Sequence, residues 1–355
     1  MNRIRFTVFY YLRVLIVILA YWYANTLTTY AQGIKSTFEH PIYQDPDIFV
    51  ITNRQIDTSN VQFSFTNNVN KGASLTFYRV NASSIDSLQL TPLDSTAFVA
   101  EIMDIKNQDW VLFIHGDGKP FEQAAIRGLN IQNTHKVRVI VFSWPSKDAH
   151  LSGLKNFNNS HQNVEKSLNH FNSVLNTMVG LRNSKTDFLN GHTLSLFLHS
   201  LGNYYLDCMG NKKMFLEKQP LLFDNVIINA AAVEEKNHIN WVEKIHFQNN
   251  IFINSNKRDF NLKGLRIFTK HGKQLGEKVI SPYANNAVYF NFTKSVGFRF
   301  PTGTTHTYFI GKVPEKNKNI RLFYYEILHG LKPDLDDKTR FKIRPKSFGD
   351  IIVRQ

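Results

Sequence analysis

The chain has 355 residues, of which 43 % are hydrophobic and 20 % charged, a balance that excludes a disordered charged tail and suffices for a sizeable core. Lys and Arg total 42 against 28 Asp and Glu, a formal net charge of +14. Such an excess suits nucleic acid, an anionic membrane or an acidic substrate. A single cysteine, Cys208, excludes an intramolecular disulfide framework and a four-cysteine zinc site.

At the N-terminus Arg3, Arg5 and Arg13 precede or open an apolar run of eleven residues, Val14 to Ala24, and Thr29-Tyr30-Ala31 offers a small-residue cleavage site. This is the layout of a secretory signal. Eleven helical residues rise only about 16 Å, short of the roughly 30 Å hydrocarbon core. The expectation is a cleaved signal peptide over residues 1–31, with an uncleaved membrane anchor as the alternative. The remainder would then be periplasmic or extracellular.

Residues 32–47 read as an exposed lead-in containing Pro41 and Pro46. Short β-like runs follow at Ile48–Thr52, Val61–Phe65, Leu75–Val80 and Phe98–Ile102. Val111–Ile114 is a predicted strand, and Phe121, Ala125 and Leu129 share one face of a predicted helix. Val139–Phe142 is continuously apolar and mostly β-branched, as a strand buried on both faces should be. Val164, Leu168, Phe171, Leu175 and Met178 recur with helical spacing. Leu194–Leu198 is the next strand, leading to a helix from Leu201, and Val226–Ala230 and Ile251–Ile253 are two more. Ile320–Leu328 reads as the last helix. Alternating strands and helices predict an α/β fold with a mainly parallel sheet, whose ligands bind at the C-terminal strand ends.

Three strand ends carry chemistry. Leu196-Phe197-Leu198-His199-Ser200-Leu201-Gly202-Asn203 runs from a buried strand into His-Ser-x-Gly and a helix, the context of a nucleophile elbow. The turn would lift Ser200 Oγ above the sheet, with the Leu201 N–H near developing negative charge. Phe113-Ile114-His115-Gly116-Asp117-Gly118 ends another strand, where a serine hydrolase finds its second oxyanion donor, here the Asp117 N–H. His115 reads as a turn-stabilising residue. Phe142-Ser143-Trp144-Pro145-Ser146 ends a third strand, with Trp144 as a pocket-lining or core aromatic. A serine nucleophile needs a base and an acid to orient it. Asp259 stands just past a late strand, between Arg258 and Phe260, with Glu234 and Glu235 as the other acids. His271, His306 and His329 are the candidate bases, and His306 fits the spacing best.

Taken together, the segments VLFIHGDGKPFEQAA (111–125), VIVFSWPS (139–146), LFLHSLGN (196–203), VIINAAAV (226–233), 253–262 and HTYF (306–309) resemble a bacterial α/β-hydrolase family, domain of unknown function 900. Ile48 to Arg54 resembles that family's opening strand, which usually ends Thr-x-Arg. The likeness covers about residues 45–330. It implies an α/β-hydrolase fold with helices on both faces of the sheet, formed by residues 32–355 as a single domain. It also implies Ser200 as nucleophile, Asp259 as acid and His306 as base. Asp117 and Leu201 would form the oxyanion hole, and His115, Gly116, His199, Gly202 and Trp144 would shape the site. Two positions depart from the family pattern. Leu198 stands where Ala or Gly is usual, and is expected to crowd the elbow. Gly118-Lys119-Pro120 replaces a loop that usually reads Tyr-Asn-x-Ser.

The function expected is an exported serine hydrolase of the carboxylesterase or lipase-like kind, acting on a small-molecule or lipid-like ester through an acyl-enzyme. Neither metal nor organic cofactor is called for. The alternative is a catalytically impaired α/β-hydrolase-fold protein that binds or scaffolds at the cell envelope. The basic residues are scattered and lack any helix-turn-helix, zinc or aromatic recognition pattern, so no nucleic acid is expected. Peripheral contact with an anionic membrane is the remaining use for a basic surface.

Overall fold

The computed structural model describes residues 41–57, 64–72, 74–84, 87–184, 189–215, 221–269, 271–297, 304–343 and 350–354. The expected signal or anchor over residues 1–31 lies outside them. By its contacts the chain divides into residues 1–42 with 84–87, and residues 43–83 with 88–355; every element named below belongs to the second unit. Among the described residues no helix is long and apolar enough to cross a membrane.

In chain order the elements are β1 (Asp47–Thr52), β2 (Arg54–Asp57), β3 (Ser64–Val69), β4 (Thr76–Asn81), β5 (Gln89–Leu93), α1 (Ser95–Asp104), β6 (Trp110–Ile114), α2 (Phe121–His135) and β7 (Arg138–Ser143). They continue with α3 (Gly153–Lys166), α4 (Leu168–Arg182), β8 (Leu194–His199), α5 (Tyr204–Asn211), β9 (Phe223–Asn229), α6 (Ile239–Val242), β10 (Gln248–Ser255) and α7 (Phe260–Phe268). The last are β11 (Ala287–Asn291), α8 (Lys312–Lys316), α9 (Lys318–Leu328), β12 (Phe341–Ile343) and β13 (Asp350–Val353).

Among the described residues eleven strands form one sheet, ordered β12-β13-β11-β10-β9-β8-β6-β7-β1-β4-β5. The central pairs, from β1–β7 through β10–β11, are parallel, while β4 and β5 join antiparallel at one edge and β12 at the other. β2 and β3 pair separately. The central strands are mostly apolar because both faces are covered. Leu112, Ile114, Ile140, Phe142, Leu196 and Leu198 face one core, with Phe171, Leu175 and Met178 of α4. The alternate residues Val111, Phe113, Val139, Val141 and Phe197 face the other, with Phe121, Ala125 and Leu129 of α2 and Phe323, Tyr324 and Ile327 of α9.

Three expectations are corrected. Phe98–Ile102 is part of helix α1 rather than a strand: Asp94 caps it by accepting from Ala97 N, and Phe98 and Ile102, four residues apart, are its buried face. The helical repeat from Val164 to Met178 spans two helices that meet at Ser167, with Val164 in α3 and the rest in α4. The helix expected from Leu201 begins as a single 3₁₀ turn, Ser200–Asn203, and continues as α5.

Candidate active site

The end of β8 makes the sharp turn. Ser200 adopts φ +55°, a left-handed conformation rare for a residue with a side chain. Two glycines let neighbouring backbone approach it. A Cβ on Gly202 would lie 2.7 Å from the carbonyl oxygens of Ile114 and His115, and a Cβ on Gly116 would lie 2.6 Å from Ser200 Cβ. The strand-end loop after β6 and the turn after β8 therefore touch. Leu198 points into the core, fully buried, and the turn forms with it in place. The expected crowding does not displace Ser200, because the leucine packs away from the turn. Ser200 O accepts from Asn203 Nδ2 at 2.9 Å and from Ala232 N at 3.0 Å, which fixes the turn from both sides. Cys208 is buried on α5, among core residues.

The loop after β6 is held by hydrogen bonds to the segment after β7. Trp144 is fully buried, so it is core rather than pocket lining. Its ring stacks on His115 with centroids 5.3 Å apart, and its Nε1 donates to His115 O at 2.9 Å. Trp144 N donates to His115 Nε2 at 3.1 Å, so that nitrogen is the acceptor and Nδ1 carries the proton, 2.9 Å from Gly116 O. Burial, then repulsion from Arg54, holds His115 well below the usual imidazole range, consistent with this neutral form. Ser146 O accepts from Gly118 N at 2.8 Å and Ser146 Oγ from Lys119 N at 3.0 Å. The N–H of Leu201, inside the 3₁₀ turn, has no carbonyl within its own turn to bond.

Asp259 follows β10 and is fully buried, not paired on the surface with its basic neighbours. Its Oδ1 caps α7 by accepting from Leu262 N at 3.1 Å, and its Oδ2 lies 2.6 Å from His306 Nδ1. The segments carrying the two are tied together, since Asn256 Nδ2 donates to Thr305 O at 2.7 Å and Phe260 N to Thr305 Oγ1 at 3.2 Å. The His306 ring lies 4.7 Å from that of His199, the residue before Ser200. Among the described residues no hydrogen bond joins Ser200 Oγ to His306. Such contacts are often long before substrate arrives.

His199 is anchored behind by residues that the motif search did not single out. Tyr324 OH and Asn254 Nδ2 donate to Asn229 Oδ1 at 2.5 and 3.1 Å, which leaves Asn229 Nδ2 to donate to His199 Nδ1 at 3.2 Å. Burial, then the charges of His306, Arg127 and Lys119, keep His199 well below the imidazole range. The signal for this network was present in the sequence as asparagines interrupting two apolar strands.

The other candidate acids and histidines sit elsewhere. His271 Nδ1 is 3.9 Å from Glu234 Oε1, in a cleft of about 380 Å³ that Phe157, His161, Tyr204 and Trp241 also line and Ser200 does not. Glu235 accepts from Ile280 N at 2.7 Å. His329 Nδ1 lies 2.5 Å from Asp109 Oδ2, at the opposite ends of the strands from Ser200. Among the described residues no group of three or more His, Cys, Asp or Glu side chains is arranged to hold a metal.

The comparison with curated proteins finds no match for the chain. Residues 94–289, more than half of the sequence, match the family described as alpha/beta hydrolase of unknown function (DUF900). The match is narrower than the expected 45–330; it takes in Ser200 and Asp259 and stops short of His306. With its largely parallel sheet and helices on both faces, the chain belongs to this family of α/β hydrolases.

Proposed function

We propose that the chain is an exported serine hydrolase that cleaves carboxylic esters through Ser200, His306 and Asp259. The observation that carries this reading is the 2.6 Å contact between His306 Nδ1 and a buried Asp259, with the His306 ring 4.7 Å from that of His199, beside the left-handed turn of Ser200. An imidazole whose Nδ1 donates to a carboxylate presents Nε2 as a base. In the proposed reaction His306 Nε2 takes the Ser200 proton as Oγ attacks the acyl carbonyl. The N–H groups of Asp117 and Leu201 receive the oxyanion, each such donor contributing about 3 kcal/mol. The proton passes to the departing alcohol, and water, activated by the same imidazole, releases the acid and restores Ser200. No step calls for a metal or organic cofactor.

Export rests on the N-terminal pattern of arginines, apolar run and small-residue site. The test is covalent. A fluorophosphonate probe should label the wild-type protein at Ser200, and Ser200→Ala should lose both labelling and hydrolysis of chromogenic esters. A labelled alanine variant, or full turnover by it, overturns the assignment. A wild-type protein that neither labels nor turns over any ester is instead a binding or scaffolding member of the fold.

A further inference from the structure

We propose that the ester taken at Ser200 carries an anionic group, a carboxylate or a phosphate, held between Arg127 and Lys119; the proposal rests on the hydrolase reading above. Arg127 projects from α2 to the histidine side of the site. Its Nη1 donates to the hydroxyl of Thr307, next to His306, at 3.2 Å. Its guanidinium lies 6.0 Å from the centroid of the Phe309 ring, and that ring is 4.9 Å from the ring of His199. Lys119 lies on the loop that bears the Asp117 N–H. Its backbone is clamped, with Arg54 Nη2 donating to Lys119 O at 2.7 Å and Ser146 Oγ accepting from Lys119 N at 3.0 Å. Lys119 and Arg127 repel each other, and both act on His115 and His199, the residues that close the two strand ends at Ser200.

Both side chains are half-buried, and among the described residues neither cation has a carboxylate in ion-pair contact. The acid closest in sequence, Asp117, is turned to Asn156 Nδ2 at 2.9 Å, and burial pushes its carboxyl up to about 6. Burial, then repulsion from Arg127, pulls the Lys119 ammonium down to about 7. Two partly buried like charges repel each other, and a group of the opposite sign bound between them relieves that repulsion. A carboxylate or phosphate is that group, and a planar guanidinium matches its oxygens in pairs. The basic excess of the whole chain would draw such a substrate in.

The binding half can be measured without turnover. Ser200→Ala protein is titrated calorimetrically with glutarate and, separately, with inorganic phosphate, which tells the two anions apart. At least one should bind, and adding Arg127→Gln or Lys119→Gln should weaken it by about tenfold or more, the loss expected when one charged hydrogen bond goes. Arg127→Lys should restore part of the affinity. Lys119→Gln carries the test alone should Arg127→Gln fail to fold. With wild type, the 4-nitrophenyl monoester of glutaric acid should be preferred over 4-nitrophenyl pentanoate in kcat/KM, and Arg127→Gln should shrink that ratio. If neither anion binds, or both bind equally well without Arg127 and Lys119, the proposal is wrong. If an anion binds as expected but no ester is turned over, the anion site stands and the hydrolase reading falls.

Discussion

Asp259 uses its two oxygens for two tasks, one as the helix cap of α7 and one as the partner of His306. Asparagine keeps a capping oxygen of nearly equal quality but presents a neutral amide to the imidazole. Asp259→Asn should therefore melt within a degree or two of wild type while ester kcat falls by about 10³–10⁴-fold. An equally large loss of stability would mean that the carboxylate serves the fold alone. Gly202 is the opposite case, a residue that contributes by having no side chain. Gly202→Ala drives a methyl to within 2.7 Å of two carbonyl oxygens. It should lower the unfolding free energy by about 1–3 kcal/mol in urea titrations. Both positions were legible in the sequence, because the elbow and its acid have fixed chemistry at strand ends. The network Tyr324–Asn229–His199 left only a trace there, asparagines within apolar strands, since its members lie on α9, β9 and β8 and only the fold brings them together.

At the level of elements, Arg54 joins three that do not adjoin in sequence. From the first position of β2 it donates to Ser143 Oγ on β7 at 3.1 Å, to Trp144 O just beyond, and to Lys119 O on the loop after β6. It is 2 % exposed, and burial brings its guanidinium down to about 9. Replacing it with methionine keeps an unbranched apolar stem but strands three acceptors. Arg54→Met should cost about 3 kcal/mol or more of stability. It should also slow ester hydrolysis if the proposed oxyanion donor Asp117 N–H acts there, because the loop that carries it loses its anchor. Unchanged kcat in a stable variant would separate the clamp from the chemistry. The elements that the sequence misled on were those with mixed signals. Residues 98–102 contain β-branched and apolar residues in near alternation, yet Asp94 and the four-residue spacing of Phe98 and Ile102 favour a helix once β4 offers a surface to pack on. β5 contains Pro92, which argues against a strand but is tolerated at the sheet's edge. The doubly buried strands were easy to read because their apolar runs have no other use.

The molecule as a whole keeps several histidines neutral in its interior. Burial holds His115 and His199 well below their ordinary value and His135 at about 4. In the unfolded chain each titrates near 6.5, so below that pH the unfolded state takes up protons that the native state does not. Their contribution is complete above about 6.5 and is lost as pH falls, at about 1.4 kcal/mol per histidine per pH unit until the native value is reached. Urea unfolding at constant ionic strength should show a stability lower by several kcal/mol, on the order of 6, at pH 5 than at pH 7. A flat profile would mean that these rings are already solvated in the native protein.

The doubled duty of Asp259 has a dynamic consequence. The amide of Leu262 exchanges its hydrogen with solvent only when the first turn of α7 lets go of the carboxylate. The same opening frees the carboxylate from its fixed direction toward His306. The exchange rate of that one amide is thus a clock for how often the imidazole loses its support, readable in the resting protein with no substrate present.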